Sequence, residues 1–200
     1  MSFIVIEGGE GSGKGTLIEG LKDHFPDVLF TREPGGTPLA EEIRECVLNK
    51  RDERVDGMTE LLLVFAARAQ HLARRIKPEL ARGRRVICDR FTDSTFAYQG
   101  VARNLGSQRV TALESLVQGD LRPDLVVLLD LDPQVGLARV SGRTKADDRL
   151  DAEDLEFHLA VRDAYLERAA QAPDRYALID ASESPDQVLR AVIDLIEARG

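Results

Sequence analysis

The chain has 200 residues and 43% of them are hydrophobic, which predicts one compact domain over residues 1–200. The formal net charge of −8 argues against a general nucleic-acid surface. No run approaches the ~18 apolar residues of a membrane span. We therefore expect neither a nucleic acid nor a membrane as a partner. Two cysteines are too few for a disulfide framework and, with no N-terminal signal region in view, indicate a cytoplasmic protein.

In chain order, the first predicted elements are a strand, a glycine-rich turn and a helix. Residues 3–6 are apolar and mostly β-branched, which predicts a buried strand, and Leu17, Ile18 and Leu21 have the spacing of one helix face. The glycines between them let successive N–H groups point into one concavity, and a helix N-terminus favours an anion. The sequence therefore predicts a phosphate-binding loop at residues 7–16.

The loop fits the Walker A pattern except at its last position. The spacing Gly8-x4-Gly13-Lys14 matches the pattern, but Gly15 occupies the usual hydroxyl position and Thr16 follows it. We predict that Thr16 ligates Mg²⁺, directly or through water, and that Lys14 reaches the terminal phosphates of a nucleotide. The predicted nucleotide-binding residues are Gly8, Gly9, Glu10, Gly11, Ser12, Gly13, Lys14, Gly15 and Thr16.

Four further apolar runs predict strands at residues 28–30, 86–88, 125–131 and 176–179. Caps, prolines and apolar spacing predict helices that start near residues 38, 59, 107, 133, 155 and 185. We expect a kink at Pro78 in the second of these helices and a cap at Ser107 in the third. A short helix or turn is expected over 92–100 and a polar loop over 141–148.

This alternation of buried strands and helices predicts an α/β fold. We expect a three-layer fold of the P-loop NTPase type, with a five-stranded parallel sheet, helices on both faces and a short lid loop at about residues 141–151. The carboxyl ends of parallel strands share one edge of the sheet. The segments at 8–16, 32–37 and 89–90 should therefore meet there.

Asp89 and Arg90 end one of the predicted buried strands. A carboxylate in this place is a natural partner for a Mg²⁺-bound nucleotide, and an arginine offers a planar donor fork for a phosphate. The alternative is an ion pair that only holds the end of the strand. Asp130 and Asp132, near the end of the next strand, are rivals for Asp89, although Asp132 before Pro133 is more simply a helix cap.

Two sets of side chains suit the base of a nucleotide acceptor. Val64, Phe65 and Arg68 lie on one helix face and either line a pocket for a planar base or are a core segment beside a surface arginine. The second set suits the edge of a pyrimidine or, equally, an ordinary helix surface; it consists of Ser94, Thr95, Tyr98 and Gln99.

The polar segment after residue 140 carries Arg143, Lys145 and Arg149. These side chains either close over phosphates and stabilise transition-state charge or form a solvated basic loop. The residues by themselves indicate Mg-nucleotide binding with phosphoryl transfer and leave the acceptor open. A P-loop binding module or switch with no acceptor is the competing class, and Arg90 with the lid arginines argues against it because they suit a second phosphate group.

Five segments resemble the bacterial thymidylate kinase family in content and order. They are Thr-Arg-Glu-Pro-Gly-Gly-Thr at 31–37, Asp-Arg-Phe at 89–91 with Ala-Tyr-Gln-Gly at 97–100, Arg-Pro-Asp at 122–124 and Asp-Arg-Leu-Asp at 148–151. The resemblance covers essentially the whole chain. It implies transfer of the ATP γ-phosphoryl group to dTMP, giving dTDP for dTTP biosynthesis, with Mg²⁺ and in a homodimer.

By position, the resemblance also implies roles at the phosphate side of the site. The loop would hold ATP, with Glu10 facing the sugar 3′-hydroxyl of dTMP. Asp89 would organise Mg²⁺ and water, and Arg90 would hold the acceptor phosphate. Because residues 10–12 include no arginine, the chain resembles the subtype that supplies its catalytic arginine from the lid, with Arg143 the first choice and Arg149 the second.

At the base side, the resemblance implies that Arg68, Thr95 and Gln99 read the thymine edge. Tyr98 would exclude a ribose 2′-hydroxyl by its bulk. The loop that contains Glu33 and Pro34 would shape the acceptor site.

The chain departs from the family pattern at two positions. Many members carry a phenylalanine four residues before the thymine-reading arginine, where this chain has Val64 with Phe65 beside it. Gly15 resembles adenylate kinases and puts direct coordination by Thr16 in doubt. A kinase of the same fold that acts on another nucleotide would need different residues at the base-reading positions.

Overall fold

The computed structural model describes residues 2–141, 149–150 and 152–199. Within these residues the chain forms a five-stranded sheet in the order β2-β3-β1-β4-β5, and every neighbouring pair is parallel. This confirms the predicted α/β class. The strands are β1 Phe3–Gly8, β2 Leu29–Arg32, β3 Val86–Asp89, β4 Leu125–Asp130 and β5 Tyr176–Asp180.

Helices connect the strands and cover the sheet. They are α1 Lys14–His24, α2 Pro38–Leu48, α3 Gly57–His71, α4 Lys77–Ala81, α5 Thr92–Thr95, α6 Ser107–Gln118, α7 Pro133–Val140, α8 Leu155–Gln171 and α9 Pro185–Ala198. Two π-helical segments, Leu72–Ile76 and Phe96–Ala102, continue α3 and α5. The predicted lid segment lies mostly outside the described residues.

The sheet has a hydrophobic core on each face, because successive side chains of a strand point to opposite sides. Ile4 and Ile6 of β1 pack against apolar residues of α1 and α9. Phe3 and Val5 pack on the other face with residues of the first π-helical segment. The result is the predicted arrangement of three layers.

Helix caps account for most of the predicted helix starts. The side chains of Thr37, Asp132 and Ser184 accept hydrogen bonds from the first turns of α2, α7 and α9. Helix α3 begins earlier than predicted, at Gly57, because Oδ1 of Asp56 accepts a 2.9 Å bond from the Met58 amide.

Two other local predictions need correction. Ser107 is the first residue of α6 and not its cap, since Gly106 with φ 83° occupies the cap position. The expected distortion at Pro78 is a π-helical widening over Leu72–Ile76, in the turn that precedes the proline. Proline removes a backbone donor and crowds the preceding turn, which explains why the irregularity lies before it.

One apolar stripe of α3 is exposed. Leu62, half exposed at 50%, aligns with the exposed Ala66 and Ala69 one and two turns along the helix. Among the described residues, the helices include none that is long and apolar enough to cross a bilayer.

Candidate active site

The predicted phosphate-binding loop connects β1 to α1. Gly11 and Gly13 adopt φ values of 69° and 87°, a conformation that favours glycine, and Ser12 Oγ donates a 2.8 Å hydrogen bond to the Gly9 carbonyl. Lys14 folds back over the loop, and its Nζ donates to the carbonyls of Gly8 and Gly9 at 2.8 and 3.0 Å. The loop therefore holds one buried ammonium group at the N-terminus of an 11-residue helix.

The environment of Lys14 disfavours its charge. Burial and, secondarily, the charge of Arg90 lower the pKa of Lys14 to about 8, although the carboxylates of Asp89, Glu10 and Glu7 offset part of the effect. An anion bound in the loop would restore full protonation. This is the electrostatic behaviour expected of a site for phosphate groups.

Two oxygen groups near the loop suit a hard cation. Asp89 ends β3 directly beside Ile6 of β1, and its Oδ1 is buried with no hydrogen-bond partner among the described residues. Thr16 is exposed in the first turn of α1. A carboxylate oxygen without a donor among the described residues and a hydroxyl in the first turn of α1 are the kind of oxygen ligands that Mg²⁺ prefers.

Arg90 is fixed at the end of β3 in an unusual backbone conformation. Its φ is 63°, and its amide donates a 2.9 Å bond to the Ile6 carbonyl. Its Nη1 donates to Gly8 O and Tyr165 OH, both at 3.2 Å, and to Ser94 Oγ at 3.3 Å. Burial opposes its charge, but neighbouring tyrosines and carboxylates raise its pKa well above the usual value, so it remains a fixed cation.

Beyond Arg90 a cleft opens between the end of β3, α2, α3 and the α5 segment. It encloses about 740 Å³, part of which is open to solvent. Predicted residues that line it are Glu33, Pro34, Val64, Arg68, Asp89, Arg90, Ser94, Thr95, Tyr98 and Gln99. The fold thus brings together side chains that lie in three separate parts of the sequence.

The cleft is electropositive. Its described lining includes Arg32, Arg44, Arg68 and Arg90 against the carboxylates of Glu33 and Asp89. Arg32 is paired with Glu41 at 2.6 Å outside that lining. An excess of fixed guanidinium groups favours an anionic ligand with several acceptor oxygens, such as a phosphate monoester.

Val64 and Phe65 occupy different environments. Val64 lines the cleft, whereas Phe65 packs in a core cluster with Leu61 and Phe96 and is 2% exposed. The Phe65 ring lies beneath the guanidinium of Arg68, 4.8 Å from its Cζ. The aliphatic side chain is therefore the one available to a ligand, and the aromatic ring supports the arginine.

Arg68 is buried at 1% exposure, so the alternative of a surface arginine is wrong. Its Nε donates to Glu33 Oε2 at 2.6 Å and its Nη2 to Thr95 Oγ1 at 3.0 Å. Its Nη1 is buried without a partner among the described residues. Arg68 therefore lines the cleft with one donor group that the described residues leave without an acceptor.

Gln99 and Arg149 meet at one buried carboxylate. Gln99 Nε2 donates a 2.7 Å bond to Oε1 of Glu60, and Arg149 pairs with Oε2 of the same residue. Arg149 Nη2 also donates to the Val47 carbonyl at 3.0 Å, which ties it to the rim of the cleft. Arg143, the first choice for a lid arginine, lies outside the described residues, as does Lys145.

Tyr98 forms one wall of the cleft and is held on two sides. The guanidinium carbon of Arg90 lies 5.2 Å from its ring centroid, and Phe157 of α8 meets the ring edge-on at 5.9 Å. The side chain is 7% exposed. Its position is fixed by packing before any ligand binds.

Glu10 and the rival aspartates lie on the β4 side of the loop. Glu10 lines a smaller cavity with residues of β4 and α7 and is not part of the cleft lining. Asp130 forms a two-point ion pair with Arg162 at 2.7 and 2.9 Å. Asp132 caps α7. Each aspartate thus has a structural task away from the cleft.

Sequence reasoning missed several residues of the cleft. Arg44, Val47 and Leu48 of α2 line it together with Leu150. The three α2 residues have i, i+3, i+4 spacing, which was a usable signal of one helix face. No local pattern pointed to Glu60.

Comparison with known proteins gives consistent matches. A sequence model of the family described as "Thymidylate kinase" matches residues 6–192. The thymidylate kinase of Pseudomonas putida strain F1 is 54% identical over 198 residues, which covers 97% of this chain and 94% of the relative. Those of Pseudomonas entomophila strain L48 and Pseudomonas fluorescens strain SBW25 have the same identity and the same coverage of both chains.

Proposed function

The chain belongs to the thymidylate kinase family and phosphorylates dTMP, and we propose that the cleft holds dTMP while the phosphate-binding loop holds ATP. The observation that carries this assignment is the bond between Arg90 Nη1 and the carbonyl of Gly8, at 3.2 Å. It joins the cation of the cleft to Gly8 of the phosphate-binding loop. Two phosphate-binding features that adjoin in this way suit transfer between two phosphates and exceed what a nucleotide switch needs.

At the donor side, residues Gly8–Thr16 bind the ATP phosphates and Lys14 pairs with their charge. Asp89 and Thr16 hold Mg²⁺, directly or through water, a role supported by the unpartnered Oδ1 of Asp89. When bound there, Mg²⁺ would neutralise part of the charge of the ATP phosphates. The protein contributes the fixed positions of the loop and of Asp89.

At the acceptor side, Arg90 binds the dTMP phosphate. Val64 packs on the thymine ring, while Arg68, Thr95 and Gln99 lie at its polar edge and Ser94 supports Arg90. Tyr98 excludes a ribonucleotide, and Glu33 with Pro34 closes the base end of the cleft. From the phosphate-binding loop, outside the cleft lining, Glu10 faces the 3′-hydroxyl of the deoxyribose.

The reaction needs positioning and charge stabilisation more than acid–base chemistry. A phosphate oxygen of dTMP attacks the γ-phosphorus of ATP, a new P–O bond forms, and the bond to the ADP oxygen breaks. Lys14 and Arg90 hold the two phosphates in line, which lowers the entropic part of the barrier. Arg143 and Arg149 supply positive charge to the transferred group from the lid.

A coupled transfer assay tests the proposal. ATP with Mg²⁺ is offered with dTMP, dUMP, dCMP or AMP, and alone. We expect strong preference for dTMP. Turnover on another monophosphate would overturn the base pocket, and ATP binding without transfer to any acceptor would favour a binding module.

We also propose that the protein is a cytoplasmic homodimer that associates through α3. The support is the exposed stripe of Leu62, Ala66 and Ala69, since apolar stripes on helices are common contact surfaces. Light scattering should give twice the chain mass, and Ala66→Glu should give a monomer. A monomeric parent protein would contradict the proposal.

A further inference from the structure

Behind the base end of the cleft, five buried or half-buried side chains form a continuous chain of hydrogen bonds. Thr31 Oγ1 lies 2.6 Å from His71 Nε2, and His71 Nδ1 lies 2.9 Å from Glu33 Oε1. Glu33 Oε2 accepts from Arg68 Nε at 2.6 Å, and Arg68 Nη2 donates to Thr95 Oγ1 at 3.0 Å. This chain of hydrogen bonds links β2, the loop after it, α3 and α5.

The chemistry of Glu33 fixes the direction of these bonds. A carboxylate only accepts, so both Arg68 Nε and His71 Nδ1 must donate to it. In the neutral imidazole the other nitrogen, Nε2, then accepts from the Thr31 hydroxyl. One tautomer of His71 therefore satisfies every bond from Thr31 to Arg68.

His71 also sets the position of the loop that carries Glu33. Gly36 has φ 85°, and a Cβ on this residue would collide with the His71 ring and lie 2.7 Å from Thr31 Oγ1. The loop backbone thus packs directly on the imidazole. His71 is completely buried, so no water replaces it as a partner of Glu33.

These hydrogen bonds fix the orientation of the Arg68 guanidinium group. Two of its guanidinium nitrogens are fixed by Glu33 and Thr95, and the planar group cannot turn without breaking both bonds. Nη1 has no acceptor among the described residues and is left as a donor for a ligand. If Glu33 lost its bond from His71, the carboxylate could rotate and the guanidinium would follow it.

We propose that His71 is a positioning residue for base discrimination, acting through Glu33 to aim Arg68 at the base of the acceptor. The inference rests on the proposed binding of dTMP in the cleft. Arg68 can only donate, so it suits a base with a carbonyl at the ring edge, as in thymine. It opposes cytosine, whose amino group there would leave two donors facing each other.

Two substitutions of His71 test the proposal. The Asn amide occupies the place of Nδ1, so His71→Asn keeps a donor for Glu33, whereas the Gln amide occupies the place of Nε2, so His71→Gln removes that donor. We expect His71→Gln to lower the ratio of kcat/KM for dTMP to that for dCMP about tenfold, mainly through KM for dTMP. KM for ATP should stay constant, and His71→Asn should restore most of the ratio.

Leu72→Ala is the matched control, because Leu72 is a buried neighbour of His71 and its apolar side chain takes no part in these hydrogen bonds. It should lower stability and leave the dTMP-to-dCMP ratio unchanged. An unchanged ratio in folded His71→Gln overturns the proposal. If both His71 variants fail to fold, Thr31→Val tests the proposal instead. We expect it to lower the dTMP-to-dCMP ratio about twofold to threefold. An unchanged ratio in this variant overturns the proposal. Failure of the parent enzyme to use dTMP would instead reject the proposed function.

Discussion

The hydroxyl of Tyr165 on α8 donates a 2.8 Å hydrogen bond to Oε2 of Glu7, at the end of β1. Ser94 Oγ donates to the same oxygen at 2.6 Å, and the amide of Phe91 donates to Oε1 at 2.8 Å. Tyr165 and Ser94 are also partners of Arg90. Glu7 therefore supports the cation of the cleft from below, although it lies entirely within the core.

The pKa of Glu7 predicts an unusual dependence of stability on pH. Burial, and secondarily the charge of Asp93, raises the pKa of Glu7 from 4.5 to about 7. A raised pKa in the folded state gives a stabilising contribution that is present below the unfolded value and is lost as pH rises through the folded value. As pH rises above the unfolded value, the Glu7 carboxylate therefore costs the folded protein stability, because its charge is disfavoured in the core. Glu7→Gln removes this pH-dependent cost. We expect the variant to gain on the order of 1–3 kcal/mol relative to the parent protein between about pH 5 and pH 8.

Urea unfolding at several pH values measures this gain. Glu183→Gln is the control, because it makes the same substitution at an exposed position, outside the core. A constant offset between Glu7→Gln and the parent protein over the same pH range would contradict the raised pKa.

The lowered pKa of Lys14 predicts that the protein takes up protons when ATP binds. Burial first, and then the charge of Arg90, lowers the pKa of Lys14 to about 8 in the free protein, and the ATP phosphates should raise it again. Binding should take up about half a proton at about pH 8 and less at about pH 7. Calorimetry in two buffers of different ionisation enthalpy measures the uptake. Lys14→Arg should bind ATP without taking up a proton, since arginine is already protonated. Equal heats for the parent protein in the two buffers would contradict the prediction.

The lid arginines should act on the chemical step. If Arg143 stabilises the charge of the transferred phosphoryl group, Arg143→Ala should lower kcat about a hundredfold or more with little change in KM for dTMP. Arg149 is already engaged by Glu60 and the Val47 carbonyl, so Arg149→Ala should also alter the cleft rim and raise KM for dTMP. Steady-state kinetics of both variants separates these effects, and an unchanged kcat would remove Arg143 from catalysis.

Much of the fold followed from local patterns. The strands are short apolar runs between turn signals, and Thr37, Asp132 and Ser184 are helix caps whose oxygen can reach only nearby amides. The three loops at the carboxyl ends of the strands were expected to meet because parallel topology allows one arrangement of those ends.

What could not be predicted depends on helix phase and on distant partners. Adjacent helix positions differ by about 100°, which separates Val64 in the cleft from Phe65 in the core. The burial of Arg68 needs Glu33, 35 positions away, and Glu7 meets Tyr165, 158 positions away. No local pattern encodes such pairs.

Tyr98 should control selectivity for deoxyribonucleotides. Its ring is held between Arg90 and Phe157, so it cannot move aside for a 2′-hydroxyl. Tyr98→Ala should lower the preference for dTMP over its ribonucleotide about tenfold or more, whereas Tyr98→Phe keeps the ring and should retain the preference. Competition between the two substrates measures the ratio, and equal ratios in the parent enzyme and Tyr98→Ala would remove the steric role.

A close backbone contact should make the phosphate-binding loop sensitive to Gly136 of α7. A Cβ on Gly136 would collide with the carbonyl oxygen of Glu10, and a Cβ on Gly11 would collide with the backbone of Gly136. Gly136→Ala must therefore displace the loop, because the obstacle is main chain and not a side chain that can turn. We expect KM for ATP to rise about fivefold to tenfold, with a smaller change in KM for dTMP.

Gly20→Ala in α1 is the matched control for Gly136→Ala. A Cβ there would meet only the side chain of Leu189, at 2.7 Å, which can adopt another rotamer. Alanine also favours the helix by roughly 1 kcal/mol over glycine, so this variant should keep its KM for ATP and its stability. If Gly136→Ala likewise kept the KM for ATP of the parent enzyme, the contact with α7 would have no part in placing the loop. If KM for ATP rises in Gly136→Ala and stays constant in Gly20→Ala, then ATP affinity depends on α7, which lies outside the phosphate-binding loop.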